Sequence, residues 1–365
     1  MTHVAARSML GALLVLGVSG CTWTRPFTDR AGRVIPGSIA SMETIELGGV
    51  RQSVWVRGRD VKAPALILLH GGPGASESAL FRQYDSALED HFLVVYWEQR
   101  GAGRSSHGGI ARSSMTIERM VQDLDALVDT VRARFAKRRV ALLGHSWGTI
   151  LGTLYAQRHP ERVSVYVGVA QIANFGEGER ISLAWALRQA ESRRDTRALR
   201  ELRSLVPAPR SVEEELALGR WVERFGGSLR GGLSTGRLIW TALRSDEAGI
   251  MDLIKFGQGN RFSLETLRPQ YSRVDLTRIR CFEVPVVFML GRHDWHVPAE
   301  LAAEYFATID APSKRLVWFE RSAHNPPFEE PDAFVHAMLA HVRPLALHDR
   351  GRATSDCART RAIDT

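Results

Sequence analysis

The stretch RRVALLGHSWGT, residues 138–149, decides the fold of this chain. Its run VALL at 140–143 is apolar on both faces, which is typical of a strand buried in a parallel sheet. The sequence GHSWG follows at 144–148, and residues 150–156 suit a buried helix. A strand that turns at once into a helix forces Ser146 into a strained backbone conformation, and the flanking glycines avoid clashes there. The pattern predicts a serine hydroxyl held at the tip of the sheet, as in a nucleophile elbow.

Strands and helices alternate on both sides of this stretch. We expect a hairpin over residues 43–57 and further strands at 65–69, 92–97, 163–169, 284–291 and 315–319. Helical spacing of apolar residues predicts helices at 116–135, 299–308 and 331–342. This alternation indicates the α/β class: a mostly parallel central sheet with helices on both faces. The ligand site of such a sheet lies at the carboxyl ends of its strands.

Between residues 173 and 280 the pattern changes, because Arg and Glu alternate with Leu and Ala and strand-like runs are missing. We interpret this part as an inserted helical cap. The predicted organisation is a signal peptide (1–20), a lipid-anchored tether (21–40), the first part of the core (41–172), the helical cap (173–280), the second part of the core (281–343) and a disordered tail (344–365).

Composition and charge exclude several classes of protein. The 365 residues are 44% apolar and 24% charged, which is ordinary for a globular protein with a sizeable core. The net charge is +8, but the arginines are spread over predicted helices rather than clustered, so we expect no nucleic-acid partner. Beyond Cys21 only Cys281 and Cys357 are present, too few for a disulfide scaffold; whether they pair is open.

The N-terminus predicts export. Arg7 precedes an apolar run at 9–18, which is too short to span a bilayer but suits a secretory signal. The ending VSGC at 18–21 resembles a bacterial lipoprotein signal, in which cleavage precedes a cysteine that is then lipidated. We therefore expect a lipid anchor on Cys21 and a location in the bacterial cell envelope, outside the cytoplasm. The alternative is an ordinary export signal with an incidental cysteine.

A reactive serine needs a base, and the base needs an acid that orients it. Asp294 follows the predicted strand that ends at Leu290, and His324 follows the one that ends at Phe319. Ser, acid and His in that chain order form one of the known hydrolase triads. The alternatives are a helix-capping Asp and a structural His. His293 and His296 flank Asp294 and could indicate a zinc site, but zinc would need further ligands that the sequence does not show. We therefore expect no metal and no cofactor.

The sequence HGGPG at 70–74 predicts an oxyanion hole, since glycines let the backbone approach a substrate closely. We expect the first donor to be the N–H of Gly72, with Gly71 as the alternative, and the second donor to be the N–H of Trp147. His70 is interpreted as a structural hydrogen-bonding residue. Glu98, Arg100 and Arg104 are expected to brace a loop beneath the site through an ion pair.

These motifs together resemble the α/β-hydrolase superfamily, and most closely its proline iminopeptidase branch. The matching stretches are HGGPG at 70–74, WEQRGAGRS at 97–105, GHSWGT at 144–149, GRHD at 291–294 and SAHNPPFEEP at 322–331. The resemblance covers the core on both sides of the insertion. It implies the α/β-hydrolase fold, a triad of Ser146, Asp294 and His324, and no metal.

Two features depart from that branch. Glu98 replaces the family's usual Asp, and the acidic cap residues that bind the free amine of a substrate cannot be matched; Glu177, Glu179 and Glu213 to Glu215 are available. The sequence therefore predicts a serine hydrolase with an acyl-enzyme intermediate, foremost an aminopeptidase acting on short peptides. A carboxylesterase of small acyl esters is the first alternative. A non-catalytic binding lipoprotein of the envelope is the alternative from another class.

Overall fold

Eight strands form one sheet at the centre of residues 24–348, the part of the chain that the computed structural model describes. The strand order is β1-β2-β4-β3-β5-β6-β7-β8. The strands are β1 Ile39–Leu47, β2 Val50–Gly58, β3 Ala65–Leu69, β4 Leu93–Trp97, β5 Val140–His145, β6 Val163–Val169, β7 Val286–Gly291 and β8 Lys314–Phe319. β1, β2 and β4 pair antiparallel, and all pairs from β4 to β8 are parallel.

The central strands are apolar on both faces because both faces are covered. Along β5, Val140 and Leu142 belong to one buried cluster, whereas Ala141 and Leu143 belong to the cluster on the opposite face. This alternation is the two-residue period of a strand, and it gives the molecule one apolar core on each side of the sheet. The mostly parallel sheet predicted from the sequence is confirmed.

Helices cover both faces of the sheet. They are α1 Ser78–Tyr84, α2 Ile117–Arg134, α3 Gly148–Arg158, α4 Phe175–Ser192, α5 Thr196–Ser204, α6 Val212–Arg224, α7 Thr235–Leu243, α8 Ile250–Tyr271, α9 Ala299–Thr308, α10 Pro326–Glu329, α11 Pro331–Ala337 and α12 Arg343–Leu347. α2 shows why these segments are helical. Thr116 accepts a hydrogen bond from the N–H of Arg119 at 3.0 Å, and the apolar positions of the helix face the core.

The inserted helical region is confirmed and consists of α4 to α8, between β6 and β7. Residues of α4, α5 and α6 form an apolar cluster of their own, centred on Trp185, Leu202 and Trp221. α8 carries residues of the main core, including Leu267 and Tyr271. The insertion therefore has its own small core and is also attached to the sheet domain.

The ends of the chain differ in part from the prediction. Residues 344–347 belong to α12, and Leu345 and Ala346 pack against one of the two core clusters, because this short apolar run continues the helical turns that precede it. In the predicted tether, Arg57 donates a hydrogen bond to the carbonyl of Arg25 at 2.9 Å, and β1 already begins at Ile39. The predicted signal peptide, Cys21 and the rest of the tail lie outside residues 24–348. None of the helices in that range is both long and apolar enough to cross a bilayer.

Candidate active site

Ser146 occupies the sharp turn between β5 and α3. Its φ is +51°, in the left-handed region that side chains other than glycine rarely adopt. A Cβ added to Gly144 would lie 2.6 Å from the carbonyl oxygen of Gly148, so the turn has no space for a side chain there. The N–H of Ser146 donates to the carbonyl of Val169 at 2.9 Å, which ties the strained residue to the neighbouring strand β6. The serine is therefore held rigidly at the carboxyl end of the sheet.

Asp294 and His324 meet at the same end of the sheet, after β7 and β8. Asp294 Oδ2 lies 2.9 Å from His324 Nδ1, and both side chains are buried. The other carboxylate oxygen accepts hydrogen bonds from the N–H groups of His296, at 2.9 Å, and Val297, at 2.8 Å. These two donors fix the carboxylate, so the carboxylate in turn orients the imidazole ring.

The charges of this pair depend on its burial. Burial raises the pKa of Asp294 to about 7, against the lowering effect of the Val297 and His296 N–H groups. Burial, reinforced by His145, lowers the pKa of His324 to about 3. At neutral pH the imidazole of His324 is therefore uncharged, which is the form in which a histidine can act as a general base.

Ser146 and His324 line one cavity at the carboxyl end of the sheet. The structure thus brings together the three residues that the sequence pattern singled out. Within residues 24–348 the Ser146 hydroxyl makes no hydrogen bond to the imidazole. Such contacts are often loose without substrate and shorten when substrate binds.

The backbone near Ser146 offers two unused donors. The N–H groups of Gly72 and Trp147 make no hydrogen bond within the described part of the chain, and both residues line a cavity that also contains Ser146. The N–H of Gly71, the alternative donor, is occupied by Glu77 Oε2 at 3.0 Å. Two N–H groups without an acceptor at one cavity suit the binding of an oxyanion.

Two side chains fix the loop at residues 70–74, which carries the Gly72 donor. His70 is buried, and its Nε2 lies 3.1 Å from the N–H of Gln99 while its Nδ1 lies 2.8 Å from the carbonyl of Gly71. Gln99 also accepts a hydrogen bond from the indole N–H of Trp147 at 2.9 Å. His70 therefore has the structural role expected for it.

Glu98, Arg100 and Arg104 were expected to brace the loop beneath the site through an ion pair, and this is only partly so. Each of the two arginines pairs with an acid far away in the sequence instead of with Glu98. Arg100 binds Asp123 through two hydrogen bonds of 2.8 and 2.9 Å, and Arg104 binds Asp252 of α8 through two of the same lengths. Glu98 instead accepts from the backbone N–H of Arg104, and burial raises its pKa to about 7. The loop is braced, but by helices α2 and α8.

Two histidines lie beside His324, and the sequence pattern did not indicate either contact. The Nδ1 of His145 lies 2.8 Å from Glu77 Oε1, and its Nε2 lies 3.0 Å from the carbonyl of His324. Burial opposes charge on His145, but the Glu77 carboxylate outweighs burial and raises the pKa of this histidine. The ring of His296 lies 4.7 Å from that of His324, and burial lowers its pKa to about 4. The motif contains His145, but nothing near Glu77 in the sequence marks it as its partner.

The insertion supplies a charged wall to the cavity beside Ser146. Glu179 of α4 and Glu215 of α6 line this cavity together with Tyr271. Arg268 of α8 lies 3.1 Å from Glu215 Oε2 and 3.6 Å from Glu179 Oε1. Burial, together with the charge of Glu215, raises the pKa of Glu179 to about 8, although Arg268 opposes this. Two carboxylates therefore share one guanidinium group.

Glu179 keeps an unused acceptor in this wall. In the described residues its Oε1 is buried and makes no hydrogen bond. Other acids that the sequence offered lie elsewhere: Glu177 pairs with Arg180, Glu213 with Arg261 and Glu214 with Arg210. Residues 24–348 contain no group of three or more His, Cys, Asp or Glu side chains placed to hold a metal ion.

Comparison with known proteins gives a sequence relative that extends over most of the chain. The chain is 34% identical to the probable aminopeptidase YbaC of Bacillus subtilis (strain 168) over 317 residues, which cover 84% of this chain and 97% of that relative. It is also 34% identical to the proline iminopeptidase of Neisseria gonorrhoeae, but over 119 residues only, 33% of this chain and 36% of that enzyme.

Solved structures share the fold. The proline iminopeptidase of Mycobacterium smegmatis superimposes with a TM-score of 0.60 at 17% identity, over 85% of this chain and all of that one. A membrane phospholipase A superimposes with a TM-score of 0.58 at 20% identity, over 84% of this chain and 87% of that one. The model of the alpha/beta hydrolase fold matches residues 64–331, which carry the triad candidates and the insertion. The chain therefore belongs to the α/β-hydrolase family.

Proposed function

We propose that this protein is a serine aminopeptidase that removes the N-terminal residue of short peptides. In this proposal Ser146 is the nucleophile, His324 is the general base and acid, and Asp294 orients the imidazole ring. The N–H groups of Gly72 and Trp147 bind the oxyanion. The pairing of His324 with Asp294 at 2.9 Å and the positive φ of Ser146 support these roles.

The chemistry proceeds in two halves. His324 Nε2 takes the proton of the Ser146 hydroxyl as Oγ attacks the scissile carbonyl carbon, and the carbonyl oxygen becomes an oxyanion. His324 then gives that proton to the leaving amine, the C–N bond breaks, and the acyl group stays on Ser146 as an ester. Water then attacks this ester while His324 takes a proton from it, and the bond between the acyl carbon and Ser146 Oγ breaks. His324 returns the proton to Ser146 Oγ, and the N-terminal residue leaves as the free acid.

The observation that carries the peptidase proposal is the unused acceptor of Glu179. A substrate whose carbonyl lies at Ser146 has its N-terminal group in the same cavity, where Glu179 and Glu215 supply two carboxylates against one arginine. A protonated amine would donate to Glu179 Oε1, which makes no hydrogen bond in the described chain, and its positive charge would favour the ionised form of this carboxyl, whose pKa is raised to about 8 by burial. The similarity to an enzyme named as a probable aminopeptidase points in the same direction.

The test compares three substrates: an aminoacyl p-nitroanilide with a free amine, the same compound with an acetylated amine, and p-nitrophenyl acetate. We expect cleavage of the free-amine anilide and little of the acetylated one. Glu179→Gln should lower kcat/KM for the free-amine anilide about 10- to 100-fold, the size of a charge-assisted hydrogen bond, and leave the acetate ester unaffected.

Glu177→Gln is the matched control, since Glu177 lies on the same helix α4 but pairs with Arg180. This variant should behave as the wild type. Equal cleavage of the free and acetylated anilides, or equal losses in the two variants, would contradict the proposed amine site. Strong ester cleavage without any anilide cleavage would remove the peptidase proposal and leave the hydrolase.

One observation favours the carboxylesterase alternative. A second cavity of about 240 Å³, mostly apolar, lies between the sheet domain and helices α7 and α8. Glu77, Thr235, Leu238 and Asn325 line both this cavity and the one that contains Ser146 and His324. An acyl chain could lie there, and turnover of p-nitrophenyl esters that rises steeply from the acetate to the octanoate would favour this function.

For location, we propose that Cys21 carries a lipid anchor and that the enzyme faces the envelope outside the cytoplasm. The basis is the sequence VSGC at 18–21 after a short apolar run. Mass spectrometry of the protein purified from membranes tests this. The expected N-terminal peptide begins at a Cys21 that carries acyl chains, and Cys21→Ala should release the protein from the membrane fraction. An unmodified Cys21 would contradict the anchor.

A further inference from the structure

Helices α7 and α8 expose an unusual amount of apolar surface. Ile239 and Trp240 of α7 are 36% and 61% exposed, and Met251 and Ile254 of α8 are 60% and 46% exposed. These are four of the eight large apolar side chains that are exposed in residues 24–348. Met251 and Ile254 are three positions apart and so share one side of their helix. We call these four residues the α7–α8 face.

Packing within the domain accounts for only part of this face. α7 contains no buried residue, although a short helix is normally stabilised by burying one side. Leu238, Ile239, Ala242 and Leu243 of α7 line the apolar cavity, whereas Trp240 does not, so lining this cavity does not explain the exposed tryptophan. Apolar side chains concentrated on one exposed surface are typical of an interaction site.

The charged side chains around the α7–α8 face indicate what kind of partner it binds. Arg237 and Arg244 are exposed, Lys255 is half-buried, and none of these three forms a salt bridge within the described part of the chain. The acids close by are already paired, since Asp246 binds Arg25 and Asp252 binds Arg104. The face therefore combines an exposed tryptophan and aliphatic residues with a surplus of positive charge, as amphipathic surfaces on anionic lipid do.

The first described residues of the chain are attached beside this face. Thr24 donates a hydrogen bond to Glu247 at 2.8 Å, and Arg25 lies 2.8 Å from Asp246. Both acids belong to the connection between α7 and α8, residues 244–249. Three residues of chain reach at most about 11 Å. A lipid on Cys21 would therefore enter a bilayer next to the α7–α8 face.

We propose that the α7–α8 face docks on an anionic membrane surface, with Trp240 and Met251 in the headgroup region and Arg237 and Arg244 against lipid phosphates. This contact belongs to the folded domain and does not depend on the hydrolase activity. It orients the molecule so that the helices covering the apolar cavity lie against the bilayer.

Amide hydrogen exchange of the full chain on vesicles tests the proposal. Vesicles of phosphatidylcholine alone are compared with vesicles that also contain phosphatidylglycerol, so that any lipid anchor inserts in both. We expect slower exchange across residues 236–258 on the anionic vesicles only. Residues 204–218 are the internal control, because they carry the exposed Val206 and Leu216.

Three double variants complete the design, the last of them as the control. Trp240→Ser with Met251→Ser should abolish the slower exchange, and Arg237→Gln with Arg244→Gln should weaken binding to anionic vesicles relative to neutral ones about tenfold or more. Val206→Ser with Leu216→Ser should change neither result. Equal exchange on both kinds of vesicle would overturn the proposal. Slow exchange at 236–258 without vesicles, dependent on protein concentration, would overturn it in favour of a second copy of the chain.

Discussion

His324 works as a base only when it is neutral and Asp294 is ionised. Burial raises the pKa of Asp294 to about 7 and lowers that of His324 to about 3, so the pair takes up its first proton near pH 7. Activity requires the form of the pair that has not taken up this proton, with His324 neutral and Asp294 ionised. We therefore predict that kcat/KM falls as the pH drops through about 7 and levels off above it. A kcat/KM profile between pH 5 and 9 checks this, and full activity down to pH 5 would contradict it.

His145 influences the pKa values of this pair. Its ring centroid lies 5.1 Å from that of His324. Glu77 favours the charged form of His145, and that positive charge disfavours protonation of both His324 and Asp294. Removing it in His145→Gln should raise the pKa of the pair and move the acid limb of kcat/KM to higher pH, on the order of one unit. His159→Gln is the control, because His159 lies far from the site, at the end of α3. An unchanged acid limb in His145→Gln would show that His145 has no electrostatic role.

At the scale of elements, Asp252 attaches helix α8 to the loop beneath the site. It binds Arg104 through two hydrogen bonds and accepts a third, of 2.9 Å, from the N–H of Gly249 at the start of the helix. Asp252→Asn should lower the free energy of unfolding by about 1–2 kcal/mol, since it weakens both the ion pair and the cap. Urea denaturation measures this.

The control is Asp246→Asn in the same connection, whose pair with Arg25 is more exposed. We expect it to cost about 0.5 kcal/mol or less, because exposed ion pairs contribute little. Equal costs for the two variants would mean that Asp252 is an ordinary surface acid.

At the scale of the whole molecule, the ion pair of Arg100 and Asp123 joins three parts of the core. Both side chains are fully buried, and Arg100 also donates to the carbonyl of Gly48 in the β1–β2 turn at 3.0 Å. Asp123→Asn leaves the guanidinium buried without a counter-charge, so we predict a loss of about 3 kcal/mol in the free energy of unfolding. Asp129→Asn, on the exposed side of α2, is the control and should cost about 0.5 kcal/mol or less. Similar urea midpoints for both variants would contradict the prediction.

The sheet was predictable because its pattern is local. β3 and β6 have the predicted bounds, since each is a short apolar run between polar or glycine-containing turns. The positive φ of Ser146 and its place at the end of β5 were likewise predictable from the glycines on either side of it. Positions after neighbouring parallel strands meet at one edge, which is why Asp294 and His324 could be expected together.

The remaining contacts could not be predicted because they join residues far apart in the chain. Glu179, Glu215 and Arg268 converge only through the packing of α4, α6 and α8, and their local sequence resembles that of solvated helices. The pairing of Glu77 with His145 likewise depends on how α1 lies against the sheet. Short-range patterns specify elements and their order, whereas the lining of the cavity follows from tertiary packing.

The central claim is that Ser146 is a nucleophile activated by His324 and Asp294. A fluorophosphonate probe followed by peptide mass spectrometry tests it most directly, since the probe bonds only to an activated serine. We predict one adduct, on Ser146, that is absent in Ser146→Ala and forms far more slowly in His324→Gln. No labelling of the wild type, equal labelling of Ser146→Ala, or an adduct on another serine would contradict the claim and leave a binding protein with this fold.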